Sequence, residues 1–193
     1  MMLNIPAGKN FYDLDFKKLK KTIIRNKKVL IRPLGKNDLP WLIKWLKDPE
    51  VNKFLSSDFS DLDTEKEEIW FREMSLSVND FVFAIEIYRE EKYIGDCGLH
   101  KINWDEKNAE FGIAIGDKNY WGKGYGRDAT EAAIKFASRH LGLESIKLSV
   151  YEYNKRAIKT YERCGFKEKK ILEKDHFYNN IYWDTIIMEL KFP

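Results

Sequence analysis

Cysteine is scarce in this sequence: Cys97 and Cys164 are the two cysteines among 193 residues. They stand far apart and form none of the close spacings that mark zinc or redox sites. We therefore expect two free thiols in a reducing compartment, the cytoplasm, and no metal site.

Long apolar runs are also missing. No run approaches the roughly 18 residues of a membrane-spanning helix, and the N-terminus lacks the pattern of a cleavable signal. An excess of one charge is absent as well, since 34 basic and 31 acidic side chains leave a formal net charge of +3. So balanced a charge gives no electrostatic reason to expect a nucleic-acid partner. These absences predict no membrane partner and argue against nucleic acid.

What the sequence contains fits one globular domain. Apolar residues make up 44% and aromatic residues 15% of the chain, and a chain of this length can fold around its own core. The predicted domain is 29–193, preceded by an N-terminal extension, 1–28. Basic residues in the extension surround an apolar helix face made of Phe16, Leu19, Ile23 and Ile24. This segment either packs on the domain or is a basic arm for an acidic partner or ribosomal RNA.

Apolar alternation and helical spacing predict both strands and helices. The predicted strands are 29–33, 80–88, 93–100, 109–116, 145–151, 166–174 and 182–190. The predicted helices begin near Leu39, Thr64, Arg127 and Lys155. The strand–helix–strand crossover over residues 109–151 predicts one parallel pair. The expected fold class is therefore α/β of the α+β type, with a mixed, mostly antiparallel sheet and helices on both faces.

Local signals at the first two domain helices predict how they begin. We expect Asp38 to cap the first helix, and Thr64 and Glu67 to form a capping box at the second. The second helix should turn Ile69, Trp70 and Met74 inward or toward a groove.

A glycine-rich turn lies between the predicted strand 109–116 and the next helix. Its sequence is Tyr-Trp-Gly-Lys-Gly-Tyr-Gly-Arg over residues 120–127. Glycine permits positive φ and a close approach of the backbone to a ligand. The first-turn N–H groups of the following helix have no partner within the helix. Such a turn suits an anion, for example a pyrophosphate.

Three kinds of nucleotide site compete for this turn. An NTPase phosphate loop needs Lys-Ser/Thr after its last glycine, where Arg127-Asp128 stands. A dinucleotide fingerprint needs a glycine in place of Arg127, and its glycines follow the strand directly, whereas residues 117–121 intervene here. A coenzyme A site is the third possibility, and a surface turn without a ligand is the alternative.

A second motif, over residues 154–166, follows one helix and one strand later. Its sequence is Asn-Lys-Arg-Ala-Ile-Lys-Thr-Tyr-Glu-Arg-Cys-Gly-Phe. Together the two stretches resemble the GNAT superfamily of acetyl-CoA-dependent N-acetyltransferases, with its motifs Gln/Arg-x-x-Gly-x-Gly/Ala and Asn-x-x-Ala-x-x-x-Tyr-x-x-x-Gly-Phe. The resemblance extends from about Leu30 onward and is closest to the Rim-type branch, which contains ribosomal-protein N-terminal and spermidine acetyltransferases. Trp121 replaces the Gln/Arg of the first motif, so phosphate binding would depend more on backbone N–H groups and on Arg127.

The resemblance implies a single-domain GNAT fold with acetyl-CoA as co-substrate. The backbone of 113–115 would bind the pantetheine arm as an added strand would. Asn154 would contact the same arm, or cap its helix, or do both. The residues that we expect to bind acetyl-CoA are Ile113, Ala114, Ile115, Trp121, Gly122, Lys123, Gly124, Tyr125, Gly126, Arg127, Asn154 and Arg156.

Acetyl transfer needs a neutral amine, a polarised carbonyl and a proton donor for the leaving thiolate. The resemblance implies that Tyr161 protonates the coenzyme A sulfur; the alternative is a core tyrosine whose hydroxyl finds a hydrogen bond. Glu110 is the candidate base, acting directly or through a water; the alternative is a carboxylate paired with a lysine. His100 and His176 are weaker candidates for the base.

The acceptor amine is expected near the segment between the first two domain helices, which lines the acceptor side of the cleft in the GNAT superfamily. The candidate substrate-binding residues are Asp58, Phe59, Asp61 and Trp70. The alternative is a solvated acidic loop, which would move specificity to the closing strands around His176, Tyr178 and Tyr182.

Two functions remain open at this stage. The first is an N-acetyltransferase that acts on a protein N-terminus, a polyamine or an aminoglycoside, and it could be a homodimer. The second is an acyl-CoA-sensing module without turnover, since one fold can host many functions.

Overall fold

The computed structural model describes residues 14–55, 59 and 61–193. The strands are β1 (Ile24–Arg25), β2 (Val29–Pro33), β3 (Phe81–Ile87), β4 (Lys92–Asn103), β5 (Asn108–Ile115), β6 (Ser145–Tyr151), β7 (Lys167–Tyr178) and β8 (Ile181–Lys191). The helices are α1 (Phe16–Leu19), α2 (Leu39–Leu46), α3 (Pro49–Asn52), α4 (Thr64–Leu76), α5 (Tyr125–Arg139) and α6 (Lys155–Arg163).

The strands form one sheet with the order β1-β2-β3-β4-β5-β6-β8-β7, in which eight strands belong to the described ranges. β5 and β6 are parallel, and the other neighbouring strands are antiparallel. The parallel pair is the one joined by α5, because a parallel connection needs a crossover. The predicted fold class is confirmed.

Helices cover the sheet on both faces. Side chains alternate along β3, so Phe81, Phe83 and Ile85 belong to the larger core cluster with α5. There Phe136 of α5 meets Phe83 edge to face, with ring centroids 4.8 Å apart. On the other face, Ala84 packs with residues of α2 and α4. The face that carries α5 is called the α5 face below, and the other the α2/α4 face.

The predictions for α4 are wrong at Thr64, Glu67 and Ile69. Asp63, not Thr64, caps α4, because its carboxylate accepts a hydrogen bond from the N–H of Lys66 at 2.8 Å. Glu67 is 4% exposed and lies inside instead of capping. Ile69, expected inside, is 47% exposed.

Asp38 stands at the N-terminus of α2, but its side chain does not cap that helix. Its carboxylate instead binds the guanidinium of Arg32, at 2.7 and 2.9 Å. It also accepts the main-chain N–H of Gly35 at 2.7 Å. An ion pair that is half enclosed holds the carboxylate more firmly than a helix N-terminus would.

The segment before residue 29 contains a short helix and a strand that joins the sheet, and not a single helix. α1 ends at Leu19, and Ile24 belongs to β1, which pairs with β2; the predicted helix face that included Ile23 and Ile24 is therefore wrong. The domain boundary at residue 29 stays a prediction. Within the described ranges, no helix combines the length and apolar character that crossing a membrane requires.

A buried carboxylate ties this N-terminal segment to α5. Asp128, 6% exposed, accepts the main-chain N–H groups of Lys28 and Val29 at 2.8 and 3.0 Å. It also accepts the side-chain amide of Asn26 at 2.9 Å. These bonds hold the first turn of α5 against the start of β2.

Replacing Asp128 with alanine should therefore destabilise the fold. One buried and one partly buried N–H group would lose their charged acceptor, and we expect the free energy of unfolding to fall by roughly 3 kcal/mol. Urea denaturation measures the change. Asp105→Ala, in an exposed turn, is the matched control and should stay within about 0.5 kcal/mol of the wild type. Equal effects of the two substitutions would contradict this role of Asp128.

Candidate active site

The two parallel strands separate soon after they begin. β5 and β6 pair at Asn108–Ser145, Ala109–Ile146 and Glu110–Lys147. The remainder of β5 continues to Ile115 beside β4 without pairing to β6. The gap is part of a cleft of about 1390 Å³. Since unpaired backbone along a strand accepts an extended partner, the gap suits a narrow chain such as a pantetheine arm.

The glycine turn stands at one end of this cleft. Gly122 and Gly124 have φ values of 71° and 84°, a region that favours glycine, and Gly124 is the N-cap of α5. A Cβ atom on Gly122 would meet nothing within 4 Å, so this side of the turn is open to a ligand. The unpaired first-turn N–H groups and the positive end of the helix dipole favour an anion here.

Trp121 has a structural role that explains its presence in the motif. Its indole N–H donates to the carbonyl of Ile115 at 2.6 Å, which links the turn to the end of β5. The guanidinium of Arg156 lies over the same ring, 4.3 Å from its centroid. The tryptophan therefore holds an arginine from α6 near the turn, although it cannot bind phosphate as the Gln/Arg of the motif would.

Most residues predicted to bind acetyl-CoA line one cleft. Those that do are Ile113, Ala114, Ile115, Trp121, Gly122, Gly124, Tyr125, Gly126, Arg127, Asn154 and Arg156. Lys123 is absent from the lining. The side chain of Arg127 is half exposed and pairs with Glu131 at 2.9 Å. Asn154 accepts the N–H of Ala157 at 3.2 Å, so its role as a helix cap is present.

Lys28 is a residue near the turn that the sequence gave no reason to select. Its ammonium donates to the carbonyl of Lys123 at 2.7 Å and lies 5.4 Å from the centroid of the Tyr125 ring. A Cβ atom on Gly124 would be 3.5 Å from it. Lys28 immediately precedes β2, so only the folded chain brings its charge to the turn.

Tyr161 lies where α6 faces the gap. It lines the cleft and is 8% exposed. Burial raises the pKa of its hydroxyl above the ordinary value, and the nearby Cys164 adds to this. Because its pKa is raised, the hydroxyl stays protonated. No residue of the described ranges hydrogen-bonds it, so it is available to a ligand in the cleft.

Glu110 lies at the vertex of the gap, on the α2/α4 face. Its carboxylate is 2.9 Å from the ammonium of Lys101 and 3.6 Å from that of Lys147. Burial raises the pKa of Glu110, but the two lysines outweigh it and hold the pKa below its usual range. The predicted lysine pairing is present, and a carboxylate held in this way is a weak proton acceptor. The role of Glu110 as base stays a prediction.

The predicted acceptor residues differ in where they lie. Trp70 lines the cleft together with Met74 from the same helix. Phe59 and Asp61 are absent from the lining, and the carbonyl of Asp61 accepts the ammonium of Lys66 at 2.7 Å. Asp58 is outside the described residues. The positions of Phe59 and Asp61 therefore do not support a role in substrate binding, and the role of this segment stays a prediction.

The closing strands bring aromatic side chains to the α2/α4 face of the sheet, which we call the acceptor side of the cleft. His176 stacks on Tyr151, with ring centroids 3.8 Å apart, and its Nε2 is 3.2 Å from the Tyr153 hydroxyl. Tyr151 lines the cleft but His176 does not. Tyr151 also donates to the carbonyl of Leu55 at 3.5 Å, which ties this wall to the segment after α3.

Comparison with known proteins agrees with this geometry. The family model of the acetyltransferase (GNAT) domain matches residues 28–167. The spermidine N-acetyltransferase of Vibrio cholerae in complex with CoA and spermine has a similar structure, with a TM-score of 0.79 and 26% identity over 86% of this chain and 96% of that one. A dodecameric structure of the same enzyme gives a TM-score of 0.73 at 26% identity, over 86% and 95%.

Curated relatives are more varied. An uncharacterized N-acetyltransferase, p20, of Bacillus licheniformis is 27% identical over 75% of this chain and 82% of its own length. The spermidine N(1)-acetyltransferase of Vibrio cholerae is 34% identical over 50% of this chain and 55% of that protein. An uncharacterized protein of Methanocaldococcus jannaschii is 29% identical over 78% of this chain, which spans only 30% of that relative.

The family match covers most of the chain, including both motifs and the strands that separate. The separated strands and the open glycine turn are compatible with the binding of coenzyme A. The chain therefore belongs to the GNAT family and is an acetyl-CoA-dependent N-acetyltransferase.

Proposed function

We propose that the protein acetylates the primary amine of a small molecule, by direct attack on acetyl-CoA in the gap between β5 and β6. The observation that carries this proposal is the position of Tyr161, which lines the cleft from α6 and whose hydroxyl has no hydrogen-bond partner among the described residues. A protein that only senses acyl-CoA needs the gap and the glycine turn but has no need of this donor. The polyamine acetyltransferases among the similar structures support a small amine.

The cofactor is proposed to lie along the gap with its pyrophosphate at the glycine turn. The main chain of 113–115 would hydrogen-bond the pantetheine arm. Lys28, Arg127 and Arg156 surround the turn with positive charge, which complements the phosphates. This arrangement leaves the thioester near the vertex of the gap.

The reaction follows from where the groups lie. An acceptor ammonium first gives up a proton on the α2/α4 face, since a protonated amine has no lone pair. The neutral amine attacks the carbonyl carbon, a C–N bond forms, and the C–S bond breaks. Tyr161 gives its proton to the departing sulfur, and the nitrogen loses its second proton as the tyrosinate is protonated again. The products are an amide, coenzyme A and one proton released to solvent.

Charge on the acceptor side is mixed. Acids and bases both line it, and Asp80, Glu110 and Asp175 stand beside Lys101, Lys147 and Lys170. Trp70 and Tyr151 supply aromatic surfaces to which a cationic amine is attracted. A small molecule with one or two amines fits this mixed charge better than a strongly acidic molecule does.

Acetyl-CoA should stabilise the protein, and Lys28→Gln should weaken that effect. An exposed charge pair contributes up to about 1 kcal/mol, so the dissociation constant should rise roughly fivefold. Isothermal titration measures it, and added salt should reduce the difference. Lys27→Gln removes the neighbouring, exposed lysine and should change nothing. Equal affinities of the two variants would contradict a role for Lys28 at the phosphates.

Tyr161→Phe should lower kcat by roughly 10²-fold or more, because a general acid contributes about 10²–10⁴-fold. The phenyl ring keeps its contact with Phe166, so the fold should survive, and the KM for acetyl-CoA should stay within about twofold. Steady-state kinetics at saturating acetyl-CoA measure the effect. An unchanged kcat would return Tyr161 to a structural role in the core.

A panel of amines identifies the acceptor. Coenzyme A release should be measured with polyamines, aminoglycosides and N-terminal peptides of ribosomal proteins, and we expect turnover with a small amine. Turnover with peptides alone would move the acceptor to a protein N-terminus. Binding of acetyl-CoA without turnover on any amine would favour the sensing module instead.

A further inference from the structure

An aspartate and a histidine pair on the acceptor side of the cleft. Nδ1 of His100, on β4, lies 3.2 Å from Oδ1 of Asp80, which immediately precedes β3. Both residues line the cleft, and the side chain of His100 is 33% exposed. Such a pair holds an imidazole in one orientation and leaves its other nitrogen to act on a ligand.

Asp80 is itself held in place by other groups. The Ser77 hydroxyl donates to Oδ2 at 2.7 Å, and the main-chain N–H of Lys101 donates to Oδ1 at 3.2 Å. The ammonium of Lys20 donates a hydrogen bond to the main-chain carbonyl of Asp80. Burial by itself would raise the pKa of Asp80. The hydrogen bonds from Ser77 and Lys101, together with His100, outweigh burial and hold this pKa below its usual range. The carboxylate is therefore ionised and accepts the Nδ1–H of the ring.

The other ring nitrogen, Nε2, is the one left available. A Cβ atom on Gly98 would lie 2.5 Å from Nε2, so the ring occupies space that only a glycine at position 98 leaves free. Among the described residues, none hydrogen-bonds Nε2. The position of the ring is thus determined by Asp80 on one edge and by Gly98 beneath it.

His100 stands beside the vertex of the gap. It is the cross-strand partner of Glu110, which is the last β5 residue paired with β6. Leu99 and Phe111 belong to the α5 face, so alternation places His100 and Glu110 on the α2/α4 face. Tyr161 reaches the gap from the α5 face. A base and an acid on opposite faces suit an amine that enters from one side and a sulfur that leaves on the other.

The remaining candidates for the base are less suited. The ammonium groups of Lys101 and Lys147 hold the carboxylate of Glu110. Nε2 of His176 faces the Tyr153 hydroxyl, and His176 is absent from the cleft lining. The charged groups that face the imidazole of His100 are therefore Asp80, Lys101, Glu110 and, across the gap, Lys147.

We propose that Nε2 of His100, positioned by Asp80, takes the proton from the acceptor ammonium, through one water, before the amine attacks acetyl-CoA. The N–H bond of the ammonium breaks, an Nε2–H bond forms, and the carboxylate of Asp80 stabilises the imidazolium. The proton then leaves to solvent from the exposed edge of the ring. This assignment rests on the proposed acetyl transfer and names the base for it.

Kinetics against pH test the assignment, with the acceptor that the amine panel identifies. His100→Gln should lower kcat about 10²-fold and abolish the acidic limb of its pH profile, with the KM for acetyl-CoA within about twofold of the wild type. Glu110→Gln should keep the acidic limb. An acidic limb that survives in His100→Gln and disappears in Glu110→Gln would overturn the proposal.

Nitrogen NMR of the three histidine rings supplies a measurement that needs no turnover. In the protein without acetyl-CoA, the His100 ring should carry its proton on Nδ1 at neutral pH, because Asp80 accepts it. Asp80→Asn should change this tautomer preference and reduce kcat about tenfold, without altering acetyl-CoA affinity. A ring protonated on Nε2 in the wild type would overturn the pairing.

His140→Gln, at the end of α5, is the matched control and should leave the pH profile unchanged. Thermal melting and titration with acetyl-CoA establish that each variant is folded. A wild type that binds acetyl-CoA and acetylates no amine overturns the proposed function and the base with it. A wild type that turns over, with an unchanged profile in His100→Gln, overturns only the base.

Discussion

The active site depends on two parallel strands that start as neighbours and then separate. Three residue pairs join β5 to β6, and beyond them each strand follows its antiparallel neighbour instead, β4 on one side and β8 on the other. Parallel strands need a long crossover, so α5 must begin at the open end of the gap. One topological constraint therefore places unpaired strand backbone and a helix N-terminus at the same cleft.

The sheet also separates the two halves of the chemistry. On its α5 face, α6 brings Tyr161 to the gap from a well-packed environment, where burial favours a neutral hydroxyl. On its α2/α4 face, Asp80 and charged and aromatic residues of β4, β6 and α4 line the cleft. In the proposed mechanism, proton donation to sulfur and proton removal from the amine would therefore take place in different dielectric surroundings.

Lysines decide which carboxylates in the cleft can act as bases. Lys101 and Lys147 converge on Glu110 and stabilise its charged form. Asp80 has no lysine on its carboxylate within the described residues; it receives a hydroxyl, a main-chain N–H and an imidazole. A carboxylate that accepts an imidazole N–H fixes the orientation of the ring, whereas Glu110 is held by two ammonium groups and orients no such ring.

The sequence by itself determined the fold class, the order of the main strands and helices along the chain, and the glycine turn and tyrosine that line the cleft. These features depend on alternation, glycine at positive φ and residue spacing, which are local properties. It did not determine the cap at Asp63, the burial of Glu67, the position of Lys28 beside Gly124, or the pairing of Asp80 with His100. Such contacts join residues that are distant in sequence or depend on competition among several donors for one carboxylate. Only the tertiary structure decides them, because packing sets which donor comes within hydrogen-bond distance.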